Sequence, residues 1–297
     1  MSNATHSMED NFALKIFDAH LHVGKWGDIS IQGRKIEPLK NRTIDSVTSL
    51  CTFLDKHHIN CAVIVPIYTP KQEEAFLLNE FILKIKKKMP DRIVPGFWID
   101  PSPSMELRVK STLQLADTHN ITVLKTSPET WDSDYSPDPD SWDSSLRNNM
   151  GSILDYAKAK RATIQIHTGS GKSDVRLIHK LIHYAGKDVS FHLVHLGNTI
   201  NGHFYLISNL SLWLRDGYQI LADTSLARGF AVRWLSDLAG QDSALQHSIV
   251  FASDEPWGSF PSELAKILDA TDGKPELRIS LLWSNAKRVY IDRHSRV

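Results

Sequence analysis

The sequence has few cysteines and no long hydrophobic run, and each shortage excludes a class of protein. Cys51 and Cys61 are the only 2 cysteines among 297 residues, which is too few for a disulfide framework and lacks paired metal-site spacing. We expect both to be small buried thiols in a reducing cytoplasm. The apolar runs fall short of the roughly 20 residues that cross a bilayer, so no membrane association is expected. The first dozen residues are polar and show no signal peptide, which favours a cytoplasmic location.

The sequence also has no excess of charge of either sign. It contains 34 Lys and Arg against 34 Asp and Glu, so its formal net charge is zero. A protein that binds nucleic acid normally shows a basic balance or patch, so we expect no nucleic-acid partner. The hydrophobic content of 41% and charged content of 23% are typical of a soluble globular protein.

The chain shows no composition break that would indicate a linker between domains. Residues 1–13 are polar, and we predict that they form a disordered N-terminal segment or the remnant of an expression tag. We predict that residues 14–297 form one domain, a length that suits a single large barrel.

Short apolar runs alternate with longer amphipathic stretches along the whole chain. The predicted strands are 15–22, 61–67, 92–99, 121–125, 162–167, 190–195, 218–223 and 248–253. The predicted helices are 43–58, 71–88, 103–119, 142–160, 173–186, 203–215, 229–239 and 261–270. Eight successive β-then-α units predict the α/β class and a closed (β/α)₈ TIM barrel. An open doubly wound sheet is the alternative, but no Gly-rich G-x-G-x-x-G turn follows the first strand.

Two connections, 24–42 and 126–141, are longer than a barrel requires. Both follow strands, so both would lie on the face where barrel enzymes carry their active sites. We expect them to shape a substrate site rather than to be inert excursions.

Histidine and aspartate side chains end four of the predicted strands. On the first strand, Asp18, His20 and His22 would share one face. His167 ends the fifth strand, His195 ends the sixth and Asp254 follows the eighth. A lone His-x-His pair is weak evidence for a metal site. A barrel, however, would bring all four strand ends onto one rim.

These motifs resemble those of a known family. They are Asp18-Ala19-His20-Leu21-His22, Ile166-His167-Thr168-Gly169, His195-Leu196-Gly197 and Ser253-Asp254-Glu255-Pro256-Trp257, together with the tail Ser284-Asn285-Ala286-Lys287-Arg288-Val289-Tyr290. The combination resembles the amidohydrolase superfamily, in the branch that includes aminocarboxymuconate-semialdehyde decarboxylase. The resemblance implies one divalent metal ion, in this family usually Zn²⁺, bound by His20, His22, His167 and Asp254. It also implies that His195 lies beside the metal.

The resemblance implies metal-dependent chemistry on a small-molecule substrate. Asp254 and His195 are the predicted catalytic residues: Asp254 would accept or relay a proton, and His195 would orient water or polarise the substrate. The first hypothesis is a hydrolase that opens an ester, lactone or amide of a small organic acid. The second is a non-oxidative decarboxylase of an aromatic or unsaturated acid, and the third is a catalytically silent binding protein.

Four further side chains are candidates for substrate binding. Lys125 ends the fourth strand and would face an anionic substrate; in some relatives a carboxylated lysine here bridges two metals, which stays an alternative. Arg228 could clamp a carboxylate or could be an ordinary surface residue. Trp26 and Trp257 could line the pocket or could simply pack. Apolar residues in 198–217 could support a homo-oligomer.

One other histidine pair has metal-ligand spacing. His179 and His183 are four residues apart on a predicted helix, but the glutamate of the helical zinc motif is missing. The sequence therefore favours a role without metal for this pair.

Overall fold

The computed structural model describes residues 14–24, 30–31, 34–35, 43–67 and 72–294. Their main feature is a set of eight parallel strands that alternate with helices, which confirms the predicted (β/α)₈ barrel. The strands are β1 (Ile16–Val23), β2 (Ile59–Pro66), β3 (Ile93–Trp98), β4 (Val123–Thr126), β5 (Thr163–His167), β6 (Ser190–Val194), β7 (Gln219–Asp223) and β8 (Ile249–Val250). A small antiparallel pair, Ser30–Ile31 with Arg34–Lys35, lies outside the barrel sheet.

Each strand pairs with its neighbours in chain order, from β1 through β8. Three backbone hydrogen bonds then join β1 to the residues that directly follow β8. Ala19 N donates to Phe251 O at 2.9 Å, Asp254 N donates to His20 O at 3.0 Å, and His22 N donates to Glu255 O at 2.9 Å. The last two bonds place Asp254 directly beside the His-x-His motif.

Asp18 supports this junction between β1 and the residues after β8, here called the seam, from inside the barrel. Its side chain is fully buried, and Oδ1 accepts hydrogen bonds from the backbone N–H groups of His20 (3.2 Å) and Ser253 (3.0 Å). Burial raises the pKa of Asp18 to about 7. Asp18 therefore fixes the backbone on both sides of the seam.

Eight of the helices in the described ranges pack around the barrel, close to their predicted positions. They are α1 (Val47–Lys56), α2 (Gln72–Lys88), α3 (Glu106–Thr118), α4 (Ser144–Lys160), α5 (Val175–Ala185), α6 (Ile200–Arg215), α7 (Gly229–Ala239) and α8 (Phe260–Ala270). Side-chain caps explain several of the starts: Asp143 Oδ1 accepts from Leu146 N at 2.8 Å before α4, and Thr199 Oγ1 accepts from Gly202 N at 2.9 Å before α6. None of the described helices has the length and apolar character that a membrane crossing requires.

The last described residues form a helical segment that closes the base of the barrel. It runs through Pro275–Ile279, Ser280–Ser284, Asn285–Lys287 and Arg288–Asp292, and two of these turns are π-helical. Tyr290 of this segment packs with Phe17, Val63 and Val123 in the lower layer of the barrel interior. The resemblance of the tail 284–290 to the closing helix of the amidohydrolase family implied its later part, whereas hydrophobic periodicity indicated neither Pro275–Ile279 nor the short helix Ser243–Gln246.

Some predictions concern residues outside the described ranges. They are the disordered segment or tag remnant at 1–13, the pocket-lining role of Trp26, and most of the long connection 24–42. These stay predictions.

Candidate active site

A cavity of about 350 Å³ opens at the carboxyl ends of the barrel strands. This is the face on which barrel enzymes place their chemistry, because the βα loops converge there. Most of the sequence-predicted site residues that the structure describes line this cavity. The lining comprises His22, Trp98, Lys125, Ser127, Glu129, His167, His195, Leu226, Asp254 and Trp257.

The carboxylate of Asp254 is the point at which the candidate ligands meet. Its Oδ1 lies 3.3 Å from His22 Nε2 and 3.5 Å from His20 Nδ1, and its Oδ2 lies 3.9 Å from His195 Nε2. The His167 ring is next to the His195 ring, with 4.8 Å between centroids. Residues from four strand ends, separated by more than 200 positions in the chain, therefore converge as the sequence predicted.

Several polar atoms at this point have no hydrogen-bond partner among the described residues. They are both ring nitrogens of His20 and Oδ1 of Asp254, and the two side chains are almost fully buried. A buried polar atom without a partner costs about 1–3 kcal/mol. A shared cation would supply the missing partner. Ligand atoms of His20, His195 and Asp254 lie within 4.8 Å of one another, which is compact enough to hold a metal ion.

The imidazoles are in the protonation state that a metal requires. Burial lowers the pKa of His167 to about 3 and holds the pKa values of His20 and His195 well below their usual range. These rings are therefore neutral at pH 7 and keep a lone pair for a ligand. Burial raises the pKa of Asp254 in the metal-free chain.

Hydrogen bonds to the second ring nitrogen orient two of these histidines. His22 Nδ1 lies 2.8 Å from Pro66 O, so it donates its proton there and leaves the Nε2 lone pair facing Asp254. His195 Nδ1 lies 2.9 Å from Ser225 Oγ. Metal-binding histidines are commonly held in this way.

Two residues of the cluster have left-handed backbone conformations. The φ angles of His195 and Asp254 are 73° and 54°. Such angles are uncommon outside glycine, and they concentrate where a site requires a side chain to take a particular direction. Gly258 supports this turn, because a Cβ there would lie 2.1 Å from the Ser253 carbonyl oxygen.

Behind the cluster lies a buried network that the sequence analysis did not identify. Asp223 Oδ1 accepts hydrogen bonds from His195 N (2.9 Å) and Ser225 Oγ (2.7 Å), and Oδ2 lies 3.0 Å from His192 Nε2. His192 Nδ1 lies 2.6 Å from the hydroxyl of Tyr290. Asp223 ends β7 as His167 ends β5, so a search for His and Asp at the ends of all predicted strands could have found it.

Lys125 is a buried cation in the wall of the cavity. Only 2% of it is exposed, and its Nζ has no hydrogen-bond partner among the described residues. Burial lowers the pKa of its ammonium group to about 8. Lys125 and Trp257 both line the cavity, where the sequence analysis expected them. Trp98 and Glu129 line it too, and strand-end reasoning missed both.

Arg228 does not line the cavity. It lies at the N-terminus of α7 and is exposed, and its backbone N–H is 3.4 Å from His203 Nε2. This position matches the ordinary surface alternative more closely than that of a residue gripping a bound substrate.

Comparisons of sequence and of structure give different results. No protein-family model and no curated protein sequence matches this chain. The structure resembles 5-carboxyvanillate decarboxylase from Sphingomonas paucimobilis, at 13% identity and a TM-score of 0.66, covering 94% of this chain and 99% of that one.

Two other solved structures are similar to a comparable degree. One is an amidohydrolase from Burkholderia multivorans with bound zinc, at 14% identity and a TM-score of 0.62, covering 93% of this chain and 99% of that one. The other is a probable 2-pyrone-4,6-dicarboxylic acid hydrolase from Acinetobacter baumannii, at 14% identity and a TM-score of 0.61, with the same coverage. The chain therefore has the (β/α)₈-barrel fold of these amidohydrolases and decarboxylases, in agreement with the resemblance of its motifs.

Proposed function

We propose that this protein is a metal-dependent hydrolase of the amidohydrolase superfamily that opens an ester, lactone or amide bond of a small organic acid. The observation that carries the proposal is the buried cluster of neutral imidazoles around Asp254, with polar atoms that have no partner within the described chain. Such a cluster costs stability unless a cation occupies it. The fold shared with amidohydrolases supports the same reading.

The donor set suits a divalent ion, and we propose Zn²⁺ held by His20, His22, His167 and Asp254. Imidazole nitrogen and carboxylate oxygen are the usual ligands of catalytic zinc. When bound, such an ion supplies Lewis acidity and makes water a usable nucleophile near neutral pH.

The surrounding residues supply the other catalytic functions: proton acceptance, orientation and exclusion of bulk water. Asp254 accepts the proton of the attacking water: with Oδ1 as the proposed ligand atom, Oδ2 is the oxygen left for the proton, and it lies 3.9 Å from His195 Nε2. His195 donates its Nδ1 proton to Ser225 Oγ, which itself donates to Asp223, so the free Nε2 lone pair orients that water by accepting a hydrogen bond from it. Each proton-transfer role typically contributes about 10²–10⁴ in rate. Trp98 and Trp257 line the cavity as large apolar surfaces that exclude bulk water.

Lys125 suits an anionic substrate. A buried ammonium group without a carboxylate partner is unfavourable on its own, and a substrate carboxylate would neutralise it. The cavity volume of about 350 Å³ is at the small end of the range for ligand sites, which favours a small organic acid.

The same Lys125 favours a second candidate function, the decarboxylation of an aromatic or unsaturated carboxylic acid. A decarboxylase must hold the carboxylate that leaves, and the similar structures include a decarboxylase. Product analysis distinguishes the two: a decarboxylase releases CO₂, whereas a hydrolase produces a new carboxylate and releases no CO₂. Metal retained without turnover on a panel of esters, lactones, amides and carboxylic acids would instead indicate a silent binding protein.

Replacing His167 with alanine should remove both metal and turnover. The ring lines the cavity, is neutral at pH 7 and is one of the four proposed ligands. Metal content by elemental analysis and activity should fall together. The matched control is His119→Ala, an exposed histidine at the end of α3. A His167→Ala protein with full metal and full activity would contradict the proposed ligand set.

Replacing Lys125 with methionine should raise KM for an anionic substrate by about tenfold or more, since a charge-assisted hydrogen bond contributes about 1.5–3 kcal/mol. Because the ammonium group loses its proton as the pH rises through about 8, wild-type KM should also rise above that pH. Lys125→Met should show no such rise. Two metal equivalents per wild-type chain, falling to one in Lys125→Met, would instead support a carboxylated bridging lysine.

A further inference from the structure

The outer face of α5 carries a second histidine pair, remote from the barrel cavity. His179 is half-buried and His183 is exposed, one turn further along the helix. Their Nε2 atoms lie only 2.6 Å apart. Two neutral imidazoles can approach so closely only if one of them donates a proton to the other, which leaves a single proton between two nitrogen ligands.

Hydrogen bonds fix both rings through their other nitrogen. His179 Nδ1 lies 2.8 Å from the hydroxyl of Tyr205, and His183 Nδ1 lies 2.8 Å from the hydroxyl of Tyr218. The His179 ring also stacks on Trp213 at 4.3 Å. Metal-binding histidines are typically held in this way, with Nδ1 hydrogen-bonded and Nε2 directed at the ion.

Charged side chains of both signs lie close to the pair. A surface cavity of about 350 Å³ beside the histidines is lined by Asp138 and Asp140. Lys180 lines it too, and its ammonium lies 2.5 Å from Asp138 Oδ2 and 3.9 Å from Asp140 Oδ2. Lys187 Nζ lies 5.6 Å from the Tyr218 ring, so carboxylates and cations near the pair roughly balance. The feature that suits a metal ion is therefore the geometry of the two rings.

We propose that His179 and His183 form a surface site for a divalent transition metal ion of the Zn²⁺ class. Among the described residues, the one group of three that could hold a metal ion lies at the barrel mouth. The second site therefore offers two protein ligands, and water completes its coordination. Two nitrogens bound to zinc at about 2.0–2.1 Å are roughly 3.3 Å apart in tetrahedral geometry, so the rings must separate slightly.

Binding at this site requires no net loss of protons. The proton between the two Nε2 atoms moves to Nδ1 of the same ring, and the tyrosine facing that nitrogen changes from donor to acceptor. Tyrosine hydroxyls can take either part.

Equilibrium dialysis of the full-length, untagged protein against micromolar free Zn²⁺ tests the proposal. We expect wild type to bind about one equivalent more per chain than His183→Gln or His179→Gln, whatever the occupancy of the barrel site. His119→Gln removes an exposed histidine from another helix and should bind as wild type does. Circular dichroism should show the same fold for all four proteins. His183→Gln carries the comparison because His183 is exposed, whereas His179→Gln also removes a ring that stacks on Trp213.

Two results would overturn this second site. One is equal zinc binding by wild type and both variants of the pair. The other is an equal loss in His119→Gln, which would mean that any exposed histidine contributes as much as this pair does. Neither result would bear on the barrel site, whose ligands are untouched in these variants.

Discussion

Replacing Asp254 with asparagine should lower turnover by a factor of about 10³ or more while leaving the barrel folded. Asp254 is both a proposed metal ligand and the proposed proton acceptor, and its carboxylate lies within 4 Å of three imidazoles. An amide of the same shape keeps the packing but can neither accept the proton nor supply negative charge to a cation. Elemental analysis and steady-state kinetics on one preparation would measure both losses.

Stability distinguishes this loss from simple misfolding. In metal-free protein, the charged Asp254 is buried with an oxygen that has no hydrogen bond, so the charge opposes folding at neutral pH. Metal-free Asp254→Asn should therefore be at least as stable as metal-free wild type. Once zinc is added, wild type should gain melting temperature and the variant should gain much less, because only a bound ligand stabilises the fold.

The control is Asp272→Asn, the same chemical change at an exposed position. It should leave metal content, turnover and the response to zinc unchanged. If Asp254→Asn kept wild-type turnover and bound zinc as tightly as wild type does, the proposal of a metal centre around Asp254 would be wrong.

The sequence was sufficient to predict the strands and the convergence of their ends. Alternating apolar residues specify β1 and β5, and a parallel barrel has only one rim to which His20, His167 and Asp254 can belong. The long-range geometry follows from the local pattern because the fold repeats one unit eight times. Whether these residues hold a metal in solution is what the variants above test.

Other parts of the site depend on contacts that no local pattern reports. Tyr290 and His192 are 98 positions apart, and whether a tyrosine on a terminal helix reaches the barrel interior depends on how that helix docks. Glu129 lines the cavity because of the path of an irregular loop. Arg228 is the opposite case. It follows β7 as the sequence predicted, yet it begins α7 and is exposed there.

The histidine pair on α5 shows a similar limit. Spacing alone gave His179 and His183 no advantage over other surface histidines. The two tyrosines that orient the rings come from α6 and from the start of β7, so they are brought together only by packing between neighbouring βα units.

Replacing Asp223 with asparagine should destabilise the protein by about 3 kcal/mol, because a buried carboxylate loses its charge among donors arranged for it. Burial alone would raise the pKa of Asp223, but hydrogen bonds from His192, Ser225 and the His195 backbone lower it below its usual value. A carboxyl group with a lowered pKa stabilises the fold above its unfolded pKa and loses that contribution as the pH falls. The difference between wild type and variant in urea unfolding should therefore shrink below about pH 4.

Activity should fall as well, by about 10–100-fold, although Asp223 is not a proposed ligand. The carboxylate fixes the backbone N–H of His195 and, through Ser225 Oγ, the His195 ring. With His195 less well oriented, kcat should decline more than KM rises, and zinc content should stay near that of wild type. A loss of zinc equal to that of His167→Ala would contradict this positioning role.

Tyr290→Phe changes the end of the same network that lies farther from the candidate metal centre, so it should affect stability more than turnover. Because His192 Nε2 faces the Asp223 carboxylate at 3.0 Å, its Nδ1 accepts the hydrogen bond from the Tyr290 hydroxyl. Phenylalanine keeps the ring that packs at the barrel base but leaves Nδ1 without a donor, which should cost about 1–2 kcal/mol. Because His192 and Asp223 would still be paired, turnover should change by less than about threefold, within the range of an indirect effect. If the Asp223→Asn/Tyr290→Phe double variant loses less free energy of unfolding than the two single variants lose together, then Tyr290, His192 and Asp223 act as one connected unit. That unit runs from the closing helix to the candidate metal centre.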